Sequence, residues 1–309
     1  MEAIGDGDHK VTYLSLRQSD EWTKYLEFLG WKIISTKNGL KVCLMKTPLG
    51  AVSKVQRPKV FQKKDLDEIE SICEKDRCMF IKIEPGFGQD EGLLKKRGYV
   101  VSRFPLTPPS TMLMELTKSE GQLWERVSKS GKYQINRAKR EGNRTEFFPN
   151  PSTKQLEIFY VIAKDTAKRG RFYLQPFRDL AKKRDIFKDR CYLTEVYDED
   201  NQLISGKVFF GAGNCATYIN GGTSGEGRKG KGGYLLMWHG ILYFKNLGYE
   251  LIDLEGVDDD RFPLFTKNWG GFSHFKEKFG GTVLKLPPPY IKYYNPILKF
   301  MARFQDLPL

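Results

Sequence analysis

The chain has 309 residues, of which 40% are hydrophobic, 29% charged and 13% aromatic. This globular composition excludes a disordered chain and leaves room for two modest domains or one large one. The 51 Lys and Arg against 38 Asp and Glu give a net charge of +13, which suits a basic soluble surface or a polyanionic partner such as nucleic acid, a nucleotide or an anionic membrane.

A helix is predicted over 20–30, where Trp22, Tyr25, Leu26 and Leu29 recur at helical spacing. A strand over 41–46, a helix over 66–74 and the strand Met79-Phe80-Ile81-Lys82-Ile83-Glu84-Pro85 follow. A short helix over 91–97 stops at Gly98, a C-cap position, before a strand over 112–116. One long helix is predicted from 119 to 142, opening on Ser119-Glu120 and ending at Gly142. Pro149-Asn150-Pro151 reads as a domain boundary, giving domain 1 over 1–148 and domain 2 over 149–286. Domain 2 opens with a helix over 153–168 and another after Pro176. Strands over 191–197, 203–210 and 216–220 are punctuated by the turn sequences Asp198-Glu199-Asp200-Asn201 and Gly211-Ala212-Gly213-Asn214. A Gly-rich loop over 221–233, a helix over 234–247 and a strand over 250–254 complete the series. The tail over 287–309 carries Tyr290, Tyr293, Tyr294, Phe300 and Phe304 and is too apolar to hang free. Helix–helix–strand–strand–strand–helix–strand is the order of an acetyltransferase-like (GNAT) domain. The fold class expected is α/β, with two GNAT-like domains in tandem.

The five cysteines are scattered, with no Cys-x-x-Cys pair, and His9, His239 and His274 have no ligand spacing. No metal is therefore expected, and free buried thiols in a reducing cytoplasm are the default. The first residues carry no basic segment followed by an apolar run, and no stretch approaches the ~20 apolar residues of a membrane span. A cytoplasmic protein is expected, with peripheral contact at the inner face of the membrane left open.

Four features carry chemistry. Residues 126–144 hold seven basic side chains (Arg126, Lys129, Lys132, Arg137, Lys139, Arg140 and Arg144) against the single acid Glu141, with Tyr133 among them. They read either as a solvated helix face or as a phosphate-tracking surface with a ring for stacking. The loop from Gly221 to Gly233, with Arg228, Lys229 and Lys231, runs into a helix start, where bare amides and the helix dipole favour an anion. Its spacing is neither a Walker loop nor the acetyl-CoA pyrophosphate loop, which would need Gly where Lys231 stands. The strand Leu251-Ile252-Asp253-Leu254-Glu255-Gly256 ends in acids. Finally, Phe275-Lys276 sits in a Gly-framed aromatic run. A fixed ammonium beside an ester carbonyl stabilises the oxyanion of aminolysis, although on spacing alone Lys276 also reads as a surface lysine beside core phenylalanines. Alone, Lys24 at the start of the first helix and Glu84 at a strand end each read as a surface charge, although a strand-end carboxylate is also a candidate base.

Six of these pieces, in order, resemble the Fem-type (FemABX) peptidoglycan bridge-forming aminoacyltransferases over almost the whole chain. Trp22…Leu29-Gly30-Trp31 looks like the family's first helix, and Ile81-Lys82-Ile83-Glu84-Pro85 like its strand ending in an acid and a proline. Leu113-Met114-Glu115-Leu116-Thr117-Lys118 through Lys132-Tyr133-Gln134-Ile135-Asn136-Arg137-Ala138 resembles its linker. Tyr218…Gly221-Gly222-Thr223-Ser224…Tyr234-Leu235-Leu236-Met237-Trp238, Asp253-Leu254-Glu255-Gly256 and Phe275-Lys276-Glu277-Lys278-Phe279-Gly280-Gly281 resemble its later motifs. The resemblance implies tandem GNAT-like domains with 287–309 completing domain 1, the acceptor side, while domain 2 takes aminoacyl-tRNA. It implies transfer of an amino acid from aminoacyl-tRNA to the stem-peptide amine of UDP-MurNAc-pentapeptide or lipid II, with no cofactor beyond the tRNA co-substrate. By the same resemblance Phe275 and Lys276 meet the charged tRNA end, with Lys276 near the reacting ester, Tyr218 is a substrate-binding residue, Lys24 meets a precursor phosphate and Glu84 the acceptor amine. Gln175-Pro176-Phe177-Arg178-Asp179 departs from the family's acceptor-contacting Arg-Pro…Tyr, leaving Arg178 as the candidate replacement. The helical arm of bridge-elongating members is missing, so the chain resembles the compact type. The alternatives are a GNAT-type N-acyltransferase using acyl-CoA on a small amine or sugar, and a non-catalytic tRNA-binding protein.

Overall fold

The computed structural model describes residues 3–4 and 11–309. They form two compact units. The first takes in the chain to Thr111, Asp259–Thr266 and Leu284–Leu309; the second comprises Met112–Asp258 and Lys267–Val283.

The sheet of the first unit runs Lys32–Ser35, Lys41–Thr47, Gly50–Gln56, Cys78–Glu84, Tyr290–Tyr293, Val100–Val101. Gly50–Gln56 and Cys78–Glu84 are parallel and pair as far as Gln56↔Glu84; their neighbours are antiparallel. A parallel pair needs a crossover, and the helix Lys63–Lys75 supplies it. That helix buries Leu66, Ile69 and Cys73 at i, i+3 and i+7 against Val55, Ile81, Ile83 and Tyr290.

The second sheet has seven strands in the order Thr282–Lys285, Ser110–Glu115, Leu251–Gly256, Cys215–Thr223, Leu203–Ala212, Cys191–Tyr197, Arg144–Pro149. Helices cover both of its faces. Gly232–Asn246 buries Leu235, Met237, Trp238, Ile241 and Phe244 against Tyr192, Phe209, Ala216 and Ile252. On the opposite face Thr153–Gly170 packs through Phe159 and Ala163, so tightly that a Cβ on Gly222 would sit 2.7 Å from the Ala163 nitrogen. Phe187, from the helix Phe177–Phe187, meets Phe210 with ring centroids 4.6 Å apart.

Two expectations are corrected. The division falls at Thr111/Met112 and not at 148/149. Pro149-Asn150-Pro151 is no linker, because Arg144–Pro149 is an edge strand paired with Cys191–Tyr197 and the Asn150 N–H donates to the Cys191 carbonyl at 2.7 Å. The predicted long helix over 119–142 is two, Glu120–Arg126 and Lys129–Arg140. Val127 is extended between them, and the Ser128 hydroxyl accepts the Gly131 N–H at 3.0 Å, starting a second helix with its own cap. Among the described residues no helix is long and apolar enough to cross a membrane.

Candidate active site

The parallel strands Cys215–Thr223 and Leu251–Gly256 pair only from Cys215↔Leu251 to Thr217↔Asp253. Beyond Thr217 the first strand follows its antiparallel neighbour, across from an irregularity between Val208 and Phe209. The two parallel strands part, and the wedge between them offers Tyr218 on one side and Glu255 and Gly256 on the other. Glu255 turns the chain with φ 59°, a left-handed conformation that costs a non-glycine residue about 1–2 kcal/mol. Its N–H is held by the Asp253 carboxylate at 2.8 Å.

Lys276 reaches this wedge from the helix Gly270–Glu277. Ser273 and Lys276, at i and i+3, are the buried residues of that helix. The Ser273 hydroxyl accepts the Asp258 N–H at 2.8 Å and pins the helix to the chain leaving the strand. The Lys276 ammonium donates to the Gly256 carbonyl at 2.6 Å, 4.9 Å from the Phe272 ring centre and 5.6 Å from that of Tyr218. Both distances lie within the reach of a cation–π contact. Lys276 is 4% exposed, and burial pushes its pKa down to about 8 against the opposing pull of Glu255 and Asp253. It is therefore chiefly charged at neutral pH yet short of solvation, so it gains from any new negative charge placed beside it.

A second buried lysine lies close by. Lys207 donates to the Gly233 carbonyl at 3.3 Å, and its ammonium is 5.6 Å from the Phe275 ring centre. Burial alone pushes its pKa down to about 7. Sequence reasoning missed it. The available signal was a lysine inside the otherwise apolar or small run Leu203-Ile204-Ser205-Gly206-Lys207-Val208-Phe209-Phe210. Phe275 itself stands edge-on to Tyr234 and Phe279, at 4.9 and 5.3 Å between ring centres, which fixes the lysine-bearing helix over the core.

The structure thus brings Tyr218, Phe275 and Lys276 together. Arg178 is exposed near the start of the helix Phe177–Phe187, with its guanidinium 3.8 Å from Asp179. The expected open loop over 221–233 is largely ordered. Gly221, Gly222 and Thr223 end a strand, Gly225–Lys229 forms a short helix, and Lys231 caps the next helix with φ 58°. Its glycines serve close packing: a Cβ on Gly221 would fall 1.9 Å from the Tyr218 hydroxyl, and one on Gly227 2.2 Å from the Ile204 carbonyl oxygen. Arg228 and Lys229 are exposed, and Lys229 pairs with Glu226 at 2.9 Å.

In the first unit, Lys24 is exposed on the helix Asp20–Phe28. Glu84 is fully buried, with both oxygens occupied. One accepts the N–H groups of Leu106 and Thr107 at 2.6 and 2.9 Å; the other accepts the Thr107 hydroxyl at 2.9 Å and the Gln56 amide at 3.3 Å. Those partners make the carboxylate a brace for the 106–107 turn.

Residues 178–305 match the FemAB family. No curated protein matches the chain. Among solved structures, FemX superposes with a TM-score of 0.78 at 16% identity, covering 95% of each chain. The L-PGS of Bacillus licheniformis gives 0.60 at 13% identity over 94% of this chain and 97% of that one. A tandem GNAT protein from the clavulanic acid biosynthesis pathway gives 0.52 at 10% identity over 85% and 82%. Identities this low speak to fold alone, and the fold they share with this chain is α/β with two acetyltransferase-like units in tandem. The FemAB match is confined to residues 178–305, while the fold shared with FemX extends over 95% of the chain.

Proposed function

We propose that the chain transfers an amino acid from aminoacyl-tRNA to the stem-peptide amine of a peptidoglycan precursor, lipid II or UDP-MurNAc-pentapeptide. The carrying observation is the buried Lys276 ammonium, held by the Gly256 carbonyl at 2.6 Å beside the rings of Phe272 and Tyr218. The acceptor amine attacks the ester carbonyl of the charged tRNA. The carbon–oxygen double bond opens to an oxyanion, which Lys276 stabilises at closer range than water could. Collapse forms the amide and expels the ribose hydroxylate, which takes up the proton that the amine nitrogen loses. A preorganised donor of this kind contributes roughly 10²–10³ in rate. Phe275 and Tyr218 supply the faces against which the donor end packs. Arg228, Lys229 and Lys231 offer positive charge for its phosphates, while Arg178 and Lys24 are proposed contacts of the acceptor. A lipid-linked acceptor would bring the protein to the inner face of the membrane.

The fold shared with the L-PGS of Bacillus licheniformis favours one second reading, in which the acceptor is a lipid hydroxyl. The deciding experiment incubates purified protein with charged tRNA and, in separate arms, UDP-MurNAc-pentapeptide, lipid II or phosphatidylglycerol vesicles, with mass spectrometry of the products. The proposal predicts a precursor heavier by one aminoacyl residue, linked by a hydroxylamine-stable amide and lost when the tRNA is digested. A hydroxylamine-labile product on phosphatidylglycerol alone would establish the second reading. Product formed from acyl-CoA without tRNA would overturn both.

A further inference from the structure

Outside the Lys276 wedge the second unit has a cleft of about 470 Å³ between the helices Glu120–Arg126, Lys129–Arg140 and Gly232–Asn246. Its apolar lining is Trp124, Ile135, Leu235 and Trp238; its polar lining includes Asn136, Lys139 and His239. The two indoles lie 4.8 Å apart between centres and tilted by 58°, so Trp124, which is half-buried, keeps part of its ring uncovered. Lys132, Asn136 and Lys139 stand at i, i+4 and i+7 and form one stripe of the helix. At one end of that stripe the Lys132 ammonium is 5.7 Å from the Trp124 ring centre. At the other, Asn136 and Lys139 line the cleft and are exposed. The His239 ring is fixed from behind, its Nδ1 2.8 Å from the Thr145 hydroxyl. Glu120 is the acid of the lining. The helix itself carries Lys129, Lys132, Arg137, Lys139 and Arg140 and no acid.

A flat aromatic ligand with hydrogen-bonding edges and an attached negative charge fits this lining. The uncovered part of the Trp124 indole offers a stacking face, Asn136 and Glu120 offer groups for a base edge, and Lys132 and Lys139 flank the ring where a phosphate would lie. The geometry points to this cleft as a base-binding site for one unpaired nucleotide of the RNA donor, with the cations of the helix Lys129–Arg140 following the adjoining phosphates. The inference rests on the RNA-donor reading given above. Tyr218, Phe275 and Lys276 are not among its lining residues, so a ligand there should act on RNA affinity and not on the chemical step.

The test measures binding of fluorescein-labelled uncharged tRNA at one fixed salt concentration, together with quenching of tryptophan fluorescence by AMP. Trp124→Leu and the double variant Asn136→Ala/Lys139→Ala should each weaken tRNA binding roughly 5- to 100-fold, the range of losing one stacked base. Trp124→Phe should bind close to wild type, because it keeps a ring. Lys154→Ala, an exposed control on the helix Thr153–Gly170, should change little. Since Asn136 and Lys139 are exposed, their replacement leaves the fold intact, which matching thermal melts would verify. Wild-type affinity in both cleft variants overturns the inference and leaves the donor reading standing. If wild type binds no tRNA, the donor reading falls and the AMP arm alone decides the cleft. Quenching lost in Asn136→Ala/Lys139→Ala supports a nucleotide site, and no quenching in wild type overturns it.

Discussion

The ammonium of Lys276 and the carbonyl of Gly256 are joined at 2.6 Å across the opening between two parting parallel strands. Gly256 ends one of those strands and Lys276 comes from a helix twenty residues further on. The carbonyl therefore aims the cation without neutralising it, as a charge-stabilising role requires. The same burial depresses the pKa of Lys276 to about 8, which exposes its role to titration.

Activity should follow that titration. The ratio of wild-type to Lys276→Arg kcat/KM, in which the titration of the acceptor amine cancels, should decline about tenfold per pH unit above about 8, as the Lys276 ammonium is lost. In Lys276→Arg, whose guanidinium stays charged, the remaining activity should lack this alkaline limb. Steady-state rates between pH 6 and 10 measure both.

Stability should rise with pH because of Lys207. Its folded pKa of about 7 lies below the ~10.4 of an unfolded lysine, so between these values the unfolded chain binds the proton and the folded chain does not. That lysine's penalty is full below about pH 7 and disappears as pH approaches 10.4. Lys207→Met should raise stability near pH 6 by roughly 1–4 kcal/mol and flatten the slope. Urea denaturation at several pH values reads both effects.

Glu84→Ala should destabilise the protein by about 2–4 kcal/mol, because the buried N–H groups of Leu106 and Thr107 and the Thr107 hydroxyl lose their acceptor. Chemical denaturation measures this. A variant of unchanged stability whose transfer activity alone is lost would return Glu84 to the acceptor site.

Gly227→Ala should cost about 1–3 kcal/mol, since a Cβ there would press on the Ile204 carbonyl oxygen at 2.2 Å. An open anion-binding loop would absorb the methyl group with no change in melting temperature.

Much of this was legible in the sequence. The strand Cys191–Tyr197 was predicted with its observed limits, and Leu203–Ala212 and Cys215–Thr223 were found in part, because turn residues bound them and apolar residues fill them. Gly50–Gln56 was missed: Gly50, Ser53, Lys54 and Gln56 have poor strand propensity, and the parallel neighbour that stabilises the strand is remote in sequence. Lys207 escaped notice because helices cover both faces of its sheet, so alternation carries no sign of which strand positions are buried. The Gly-rich run looked like a phosphate loop because composition cannot distinguish a glycine that frees the backbone from one that admits a neighbour. Gly222 against Ala163 and Gly227 against Ile204 are of the second kind. Tyr218, Phe275 and Lys276 were identified from motif order, but what surrounds Lys276 depends on how far the parallel strands stay paired, which no local pattern encodes.

The most direct measurement is single-turnover transfer from aminoacyl-tRNA to the muropeptide precursor by wild type and by Lys276→Met, which fills the same volume without the charge. A rate constant reduced roughly 10²–10³-fold, with tRNA affinity close to wild type and a melting temperature no lower than wild type, is the predicted result. A Lys276→Met rate within a few-fold of wild type would contradict the assignment of the oxyanion to Lys276.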